Sequence, residues 1–570
     1  MRSNFVYRIR FILGVVILIA LILLVRLYFV QIVHGDLYSD RADRQYVRPN
    51  ENLFDRGSLF FKDKDGRLVS GATLKTGFTV SINPSILVNP EETYRALSEV
   101  ISLDKEDFFK RAGKITDPYE EVAKRVPNED GVTIDKLDIK GVQVHKEKWR
   151  FYPGGNLASQ TLGFVAFSGD NLSGRYGLER YYNDTLSRSS NNLYVNFFAE
   201  IFSNVQKTIF SEDNEREGDV VTTIEPSVQL FLERKLEEID TKWDSKQTAG
   251  IIINPQNGEI YAMGVYPSFD LNDFKSEEDS FIFSNSLVEG VYEMGSIIKP
   301  LTVAAGLDSG AITAQTTYHD YGFLTLDGAT ISNYDGKGRG VVEMQEILNQ
   351  SLNTGVSFIV KEMGTQVFRK YMLAYGIGEE TGIDLPNEGV GLIANLDSPR
   401  TLEYATASFG QGIAMTPIAT VKALSVLANG GKSITPHLGK EIKYRSGLSK
   451  EISYADGEEI LKNASSEEIT RMLVRVVDEA LGGGDVALPN YSVAAKTGTA
   501  QIANTEARGY YEDRFLHSFF GYFPAYDAQF LVFFFTIEPK GVRYASETLT
   551  EPFRDTVDFL INYYDIPPDR

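Results

Sequence analysis

The feature that most constrains the fold of this chain is an apolar run near its N-terminus. Residues 11–25 carry no charge, and the apolar character resumes after Arg26 with Leu-Tyr-Phe-Val. A helix needs about 20 mainly apolar residues to cross a bilayer, and the run reaches that length if Arg26 extends towards an interface or faces a partner helix. The sequence therefore predicts one membrane-spanning helix over residues 11–33.

Basic residues before the run set its orientation. They are Arg2, Arg8 and Arg10. Positive residues stay on the cytoplasmic side, so we expect residues 1–10 to be a cytoplasmic tail and the rest to be exported across the plasma membrane. A cleaved signal peptide is the alternative, but no small-x-small cleavage pattern follows the run, which favours a single-pass anchor.

Composition excludes several classes of function. A formal net charge of −21 argues against a nucleic-acid partner. Without cysteine, a disulfide framework, a thiol nucleophile and a thiolate metal site are impossible. The five histidines are scattered without ligand spacing, so we expect no metal and no cofactor.

The length of 570 residues predicts at least two folded domains. Residues 34–219 mix short strands, turns and a helix-like stretch over 91–112, and they offer no catalytic set. From residue 220 onwards the pattern becomes a strand, an amphipathic helix and a β-hairpin around Asn257-Gly258. We therefore expect a spacer or docking domain over 34–219 and a second, larger domain over 220–570.

The first chemical motif is Ser296-x-x-Lys299, followed by Pro300 and an apolar helical run. Proline is tolerated in the first turn of a helix, so the helix should begin close to Ser296, with both side chains on one face. A serine hydroxyl needs a nearby base to become a nucleophile, and a lysine with a lowered pKa can be that base.

Two further motifs follow in order, Ser351-x-Asn353 and Lys496-Thr497-Gly498. The order Ser-x-x-Lys, Ser-x-Asn, Lys-Thr-Gly is the signature of penicillin-binding proteins and class A β-lactamases. Each triplet also occurs elsewhere by chance, and these copies fail on order or on context. They are Ser102-x-x-Lys105, Lys75-Thr-Gly77 and Ser189-Ser-Asn191.

Acyl transfer gives each member of the set a role. Ser296 attacks a carbonyl carbon, Lys299 removes its proton, and Ser351 passes a proton to the leaving nitrogen. The Asn353 amide holds the substrate backbone and Lys299 together. Lys496 attracts a substrate carboxylate and keeps Lys299 neutral.

The residues after Lys496 complete the predicted substrate site. Thr497 and Thr499 can donate hydrogen bonds to the same carboxylate, beside Gly498. The backbone N–H groups of Ser296 and Thr499 would form an oxyanion hole.

The chain resembles the high-molecular-weight class B penicillin-binding proteins along almost its whole length. Arg56-Gly57, Arg150 to Gly155 and Gly177-Leu-Glu179 are similar to the pedestal of that class. Asn257 to Met263 and Ala407 to Gly412 are similar to its transpeptidase domain. The resemblance implies a multidomain α+β protein with a transmembrane helix, a mixed α/β pedestal and a β-lactamase-like domain, whose antiparallel sheet is flanked by helices.

In function, the resemblance implies a peptidoglycan D,D-transpeptidase that cross-links stem peptides through an acyl-enzyme on Ser296 and is acylated by β-lactams. The compact N-terminal region and the C-terminus without an appended repeat favour the septal, FtsI-type branch over the elongation branch. A polytopic SEDS-type glycosyltransferase and other divisome membrane proteins would then be partners.

Two residues depart from the family pattern. Met294 stands where proline usually precedes the Gly-Ser pair, and Ala495 stands where glycine usually precedes the lysine. Neither carries a proton-transfer group. Ala495 does add a methyl group beside the active-site strand, where we expect it to affect how the substrate fits.

Several alternatives stay open. A β-lactamase would need a deacylating glutamate, and no Glu-x-x-Leu-Asn follows Ser351. A D,D-carboxypeptidase would differ only in using water as the acceptor. A β-lactam sensor would need a further transmembrane signalling region, and a bifunctional enzyme would need paired glutamates before residue 220; the sequence shows neither. A catalytically weak divisome scaffold is a further alternative, and its function would survive Ser296→Ala in complementation.

Overall fold

A computed structural model describes residues 54–168, 171–188, 217–455, 457–484, 486–504 and 509–570. The predicted cytoplasmic tail, the predicted anchor and most of residues 187–217 lie outside the described residues. In the ranges that are described, no helix has both the length and the apolar character needed to cross a membrane. The chain divides into two compact units, one holding residues 75–149 and the other holding 56–74 and 150–570.

The strands up to residue 151 are β1 (Leu59–Lys62), β2 (Leu68–Ile82), β3 (Glu120–Val126) and β4 (Val142–Phe151), and the helices are α1 (Pro90–Ser98), α2 (Lys105–Ala112) and α3 (Asn128–Lys136). In the 75–149 unit, the end of β2 pairs antiparallel with β3. Its core contains Val80, Leu97, Phe108 and Ile134.

The stretch predicted as helix-like over 91–112 forms two helices rather than one. Asn89 caps α1 by accepting a hydrogen bond from the Glu92 N–H, and Asp104 caps α2 by accepting one from the Asp107 N–H. An aspartate in an N-cap position starts a new helix there, because its side chain satisfies a free N–H group of the first turn.

The second unit begins with two sheets and short helices. These elements are α4 (Ser159–Leu162), β5 (Val165–Ser168), β6 (Asn171–Gly174), α5 (Gly177–Tyr181), α6 (Asn183–Leu186) and β7 (Gly218–Thr222). Strand β1 pairs antiparallel with the first half of β2 and parallel with β7. A turn at Asp65-Gly66 connects β1 to β2, and Gly66 has a φ of 83°.

The centre of this unit is a five-stranded antiparallel sheet in the order β16-β17-β18-β8-β9. Its strands are β8 (Gln247–Ile253), β9 (Ile260–Tyr266), β16 (Ala494–Ala503), β17 (Tyr510–Phe523) and β18 (Phe530–Ile537). Strands β8 and β9 form the hairpin predicted around Asn257-Gly258. Side chains alternate between the two faces of a strand, so Phe519 and Phe520 enter two different hydrophobic cores.

Helices pack on both faces of the sheet and around it. They are α7 (Pro226–Trp243), α8 (Lys299–Asp308), α9 (Met344–Asn349), α10 (Asn353–Met363), α11 (Thr365–Ala374), α12 (Thr401–Ala407), α13 (Pro417–Ala428), α14 (Asn463–Arg475) and α15 (Ala545–Tyr564). Helices α7 and α15 pack on one face, and α8 lies within the core on the other. Nearly every residue of α8 is buried, as its apolar sequence requires.

Smaller strands complete the unit. They are β10 (Thr317–Asp320), β11 (Phe323–Leu326), β12 (Ala329–Ser332), β13 (Gly340–Glu343), β14 (Gly439–Tyr444) and β15 (Ser449–Glu451). Strands β10 and β13 form one antiparallel pair, and β11 and β12 form a hairpin. Strand β14 pairs antiparallel with β7 and with β15, which is the edge strand of the sheet that contains β1.

Candidate active site

Ser296 and Lys299 lie at the start of α8, as their spacing predicts. A 3₁₀ turn over Gly295–Ile298 runs directly into the helix. The Gly295 N–H donates to the Gly410 carbonyl at 3.2 Å. A side chain at Gly410 would meet the Gly295 carbonyl oxygen at 2.3 Å, so a glycine is required there for the serine turn to be held.

Lys299 is a buried amine, with 1% of its surface exposed. Its Nζ donates to the Ser351 carbonyl at 2.6 Å and lies 3.1 Å from Ser351 Oγ. Burial, and then the charge of Lys496, hold the pKa of Lys299 well below its usual range. A lysine in this environment is neutral more readily than an exposed one, as a general base must be.

Ser351 occupies a strained position between α9 and α10. Its φ is 52°, in the left-handed region that serine seldom adopts. Lys496 Nζ lies 3.2 Å from Ser351 Oγ and donates to the Thr497 carbonyl at 3.0 Å. The Ser351 hydroxyl therefore lies between two amines that come from residues 52 and 145 positions away.

Lys496 is also buried, and burial lowers its pKa to about 8. Near neutral pH it carries a charge that faces the cleft, and this charge accounts for part of the lowered pKa of Lys299. The pKa of Lys299 and that of Lys496 are thus lowered in different ways. This suits Lys299 to act as a base and Lys496 to act as a cation.

Asn353 begins α10, and its side chain has a different partner from the one expected. Its Nδ2 donates to the Ser332 carbonyl at 2.9 Å, at the end of the β11–β12 hairpin. The hydrogen bonds of Lys299 Nζ go to Ser351 instead. Asn353 therefore links the hairpin to the Ser351 turn. Its amide oxygen Oδ1 can accept a hydrogen bond from another group.

The Lys-Thr-Gly segment lies on edge strand β16. The Oγ1 of Thr499 accepts a hydrogen bond from the Ala545 N–H at 3.0 Å, so its own proton can be donated elsewhere. A side chain at Gly498 would meet Ser518 Oγ at 2.4 Å and the Met294 carbonyl oxygen at 2.9 Å. Gly498 is therefore the position that allows this strand to approach the serine turn.

Ala495 does not reach the cleft, contrary to the expectation that its methyl group affects substrate fit. It is fully buried in the core beneath α15. Gly521 on the neighbouring strand leaves room for it, because a side chain there would collide with the Ala495 methyl group and with Phe553. The departure from the family pattern is thus accommodated inside the core.

The predicted residues converge on one cleft of about 1160 Å³. Seven of the eight line it, and the exception is Gly498, whose Cβ position faces Ser518 and the Met294 carbonyl. The lining members are Ser296, Lys299, Ser351, Asn353, Lys496, Thr497 and Thr499. The hydrogen bonds of Lys299 Nζ go to Ser351 and not to Ser296, and catalytic contacts of this kind commonly tighten when substrate binds.

Sequence reasoning missed a group of buried polar residues beside the cleft. Asp320, Asn333 and Thr354 bond to one another under the Ser351 turn. Only Thr354 carried a signal, because it follows the Ser-x-Asn motif directly. Asp320 and Asn333 stand in no recognisable spacing.

Comparison with known proteins places the chain in a family. Residues 248–558 match the model of the penicillin-binding protein transpeptidase domain. Residues 55–222 match the model of the penicillin-binding protein dimerisation domain.

Curated relatives align over most of the chain. Stage V sporulation protein D of Bacillus subtilis is 31% identical over 96% of this chain and 84% of its own length. Peptidoglycan D,D-transpeptidase MrdA of Acinetobacter baumannii is 28% identical over 87% and 78%. Peptidoglycan D,D-transpeptidase FtsI of Buchnera aphidicola subsp. Schizaphis graminum is 25% identical over 98% and 95%.

Solved structures share the fold. Penicillin-binding protein 2X of Streptococcus thermophilus matches with a TM-score of 0.73 at 19% identity, over 90% of this chain and 81% of that one. Penicillin-binding protein 3 of Mycobacterium tuberculosis matches with a TM-score of 0.65 at 21% identity, over 74% and 92%. From the two domain models and these relatives, the chain belongs to the class B penicillin-binding proteins, the family of peptidoglycan D,D-transpeptidases.

Proposed function

We propose that the chain is a serine D,D-transpeptidase with Ser296 as its nucleophile. The observation that carries the proposal is the position of the Ser351 hydroxyl, 3.1 Å from one buried amine and 3.2 Å from another, in the cleft that Ser296 also lines. A hydroxyl between two amines can accept a proton from one and donate to another group, which acyl transfer to a leaving nitrogen requires.

In the first half-reaction, Ser296 Oγ attacks the carbonyl carbon of the penultimate D-alanine while neutral Lys299 takes the serine proton. The C–N bond then breaks, and the proton passes through Ser351 to the departing D-alanine nitrogen. The Ser296 and Thr499 N–H groups stabilise the oxyanion of the tetrahedral intermediate.

In the second half-reaction, the amine of an acceptor stem peptide attacks the ester carbonyl. The amine loses a proton to Lys299, the new amide bond forms as the ester C–O bond to Ser296 breaks, and the proton passes to Ser296 Oγ. Before the terminal D-alanine leaves in the first half-reaction, Lys496, Thr497 and Thr499 hold its carboxylate beside Gly498, and Asn353 Oδ1 accepts from the donor backbone.

A donor and acceptor peptide pair tests this proposal. The wild type should form a cross-linked dimer and release D-alanine, and Ser296→Ala should form neither. Release of D-alanine without the dimer would indicate a carboxypeptidase and contradict transfer to an amine. Fast turnover of a penicillin, with no lasting adduct, would indicate a β-lactamase.

We further propose residues 34–219 as pedestal, residues 220–570 as catalytic domain and residues 11–33 as membrane anchor. A septal role with a SEDS-type glycosyltransferase partner fits the relatives named FtsI. Relatives named MrdA favour the elongation alternative. A fluorescent fusion of the full chain should concentrate at division sites, and distribution along the lateral wall would contradict the septal assignment.

A further inference from the structure

A buried carboxylate lies beneath the cleft without belonging to the predicted set. Asp320 ends β10 and is 1% exposed. Its Oδ1 accepts from the Gly322 N–H at 2.9 Å, from Asn333 Nδ2 at 3.0 Å and from Thr354 Oγ1 at 2.8 Å. Its Oδ2 accepts from the Arg339 N–H at 3.0 Å and also lies 3.0 Å from Asn333 Nδ2. Every group that contacts the two carboxylate oxygens is a hydrogen-bond donor, so these surroundings suit a carboxylate, which only accepts.

These contacts reach the Ser-x-Asn motif from its C-terminal side. Thr354 is the second residue of α10, and its N–H donates to Asn333 Oδ1 at 3.3 Å. Its hydroxyl lies between Asp320 Oδ1 and Asn333 Oδ1. The first turn of α10 is thus fixed to the Asp320 cluster three residues after Ser351.

The same cluster holds the other contact of the motif. Asn333 follows Ser332, whose carbonyl accepts from the Asn353 side chain. Because Asp320 bonds to Asn333 through both carboxylate oxygens, it fixes the end of the β11–β12 hairpin as well as the start of α10.

The Ser351 turn needs such support. A non-glycine residue with a φ of 52° is strained, and strain of this kind persists only when its surroundings hold it in place. A relaxed turn would move Ser351 Oγ away from Lys299 and Lys496.

We propose that Asp320 is a positioning residue for acyl transfer. Through Thr354 and Asn333 it holds the left-handed Ser351 turn, and with it the hydroxyl between the two amines. It does not touch the substrate. The inference rests on the proposed serine mechanism and adds to it the element that keeps the proton relay aligned.

Kinetics of acylation by a labelled penicillin separate positioning from a purely structural role. We expect Asp320→Asn to lower the acylation rate constant by about a hundredfold, since a misplacement of about 1 Å can cost that much, while the affinity of the pre-covalent complex changes less than about threefold. The asparagine keeps the shape but turns an NH₂ group towards N–H donors.

Asp384→Asn is the matched control. Asp384 is 2% exposed and accepts from the Leu438 N–H, the Gly439 N–H and the Tyr182 hydroxyl, and it does not line the cleft. Both variants should lower the melting temperature, and Asp384→Asn should keep the wild-type acylation rate constant. Equal loss of that constant in both variants would overturn the proposal.

A pair of variants at Thr354 keeps the test decisive if Asp320→Asn does not fold. Thr354→Ser retains the hydroxyl and should acylate within about threefold of wild type, whereas Thr354→Val should lose roughly tenfold or more, in the range seen when an active-site group is misplaced. Equal rates in this pair would overturn the proposal.

The measurements also distinguish this inference from the function on which it rests. If wild-type protein takes no label at Ser296, the proposed function fails. If wild type is labelled and folded Asp320→Asn acylates at the same rate, only the positioning role fails.

Discussion

At the scale of single residues, the site depends on two buried amines with different environments. Lys299 is surrounded by protein and faces a second cation, and both effects favour its neutral form. The spacing of Ser296 and Lys299 made their shared helical turn predictable. The left-handed backbone at Ser351 was not predictable, because it depends on packing from segments distant in sequence.

Lys496→Met should move the acidic limb of the pH–rate profile for acylation to higher pH. Removing the neighbouring charge raises the pKa of Lys299, so a higher pH is needed to make the base neutral. The profile is measured as the second-order acylation rate constant of a labelled penicillin from pH 5 to 10. Lys422→Met, at a partly buried lysine that does not line the cleft, is the control and should leave the limb in place. An unmoved limb in Lys496→Met would contradict the coupling.

Lys496→Arg should remove the alkaline limb of the same profile. The pKa of Lys496 is lowered to about 8 by burial, so its attraction for a substrate carboxylate is present below that pH and is lost as the pH rises through it. A guanidinium stays charged throughout the range and keeps the attraction. An identical alkaline limb in the arginine variant would show that another group controls it.

At the scale of elements, the site is the contact between strand β16 and the serine turn before α8. The hairpin around Asn257-Gly258 was predictable from its turn chemistry. The burial of the Ala495 methyl group in the core was not predictable. It depends on the space left by Gly521, which lies next to Ala495 only once β16 and β17 have paired. The break between α1 and α2 was missed because the cap at Asp104 lies within a continuous helix-like pattern.

Gly498→Ala should lower the acylation rate constant by roughly tenfold to a hundredfold, the cost expected when reacting groups are displaced by up to about 1 Å. The new methyl group would meet Ser518 Oγ and the Met294 carbonyl oxygen, so the strand must move away from the serine turn. Gly113→Ala is the control, because its nearest contact would be 3.3 Å away in the other compact unit. Wild-type kinetics in a folded Gly498→Ala would contradict this packing.

At the scale of the whole molecule, the three motifs that resemble the class B pedestal meet in one buried cluster. Glu179 is fully buried and accepts from Arg56 Nε at 2.7 Å and from Arg150 Nε at 2.5 Å. The Arg150 guanidinium also donates to the Gly57 carbonyl. The motifs could be identified in the sequence. Their contact with one another could not be predicted, because 123 positions separate Arg56 from Glu179.

Glu179→Gln should destabilise the folded chain by about 3–5 kcal/mol, because it leaves two buried guanidinium groups without a counter-charge. Urea unfolding at neutral pH measures the change. Glu479→Gln is the control: its ion pair with Arg475 is about half exposed on α14 and the turn that follows, and its loss should cost about 0.5 kcal/mol or less. Similar losses in the two variants would contradict a structural role for the cluster.

The central claim is that the hydroxyl at position 296 becomes covalently acylated in the cleft shared by Lys299, Ser351 and Lys496. Mass spectrometry of the full chain after reaction with a labelled penicillin tests it most directly. One lasting adduct per chain should form, on the peptide that contains Ser296, and it should be absent from folded Ser296→Ala. An adduct on another residue, or its persistence in Ser296→Ala, would contradict the account.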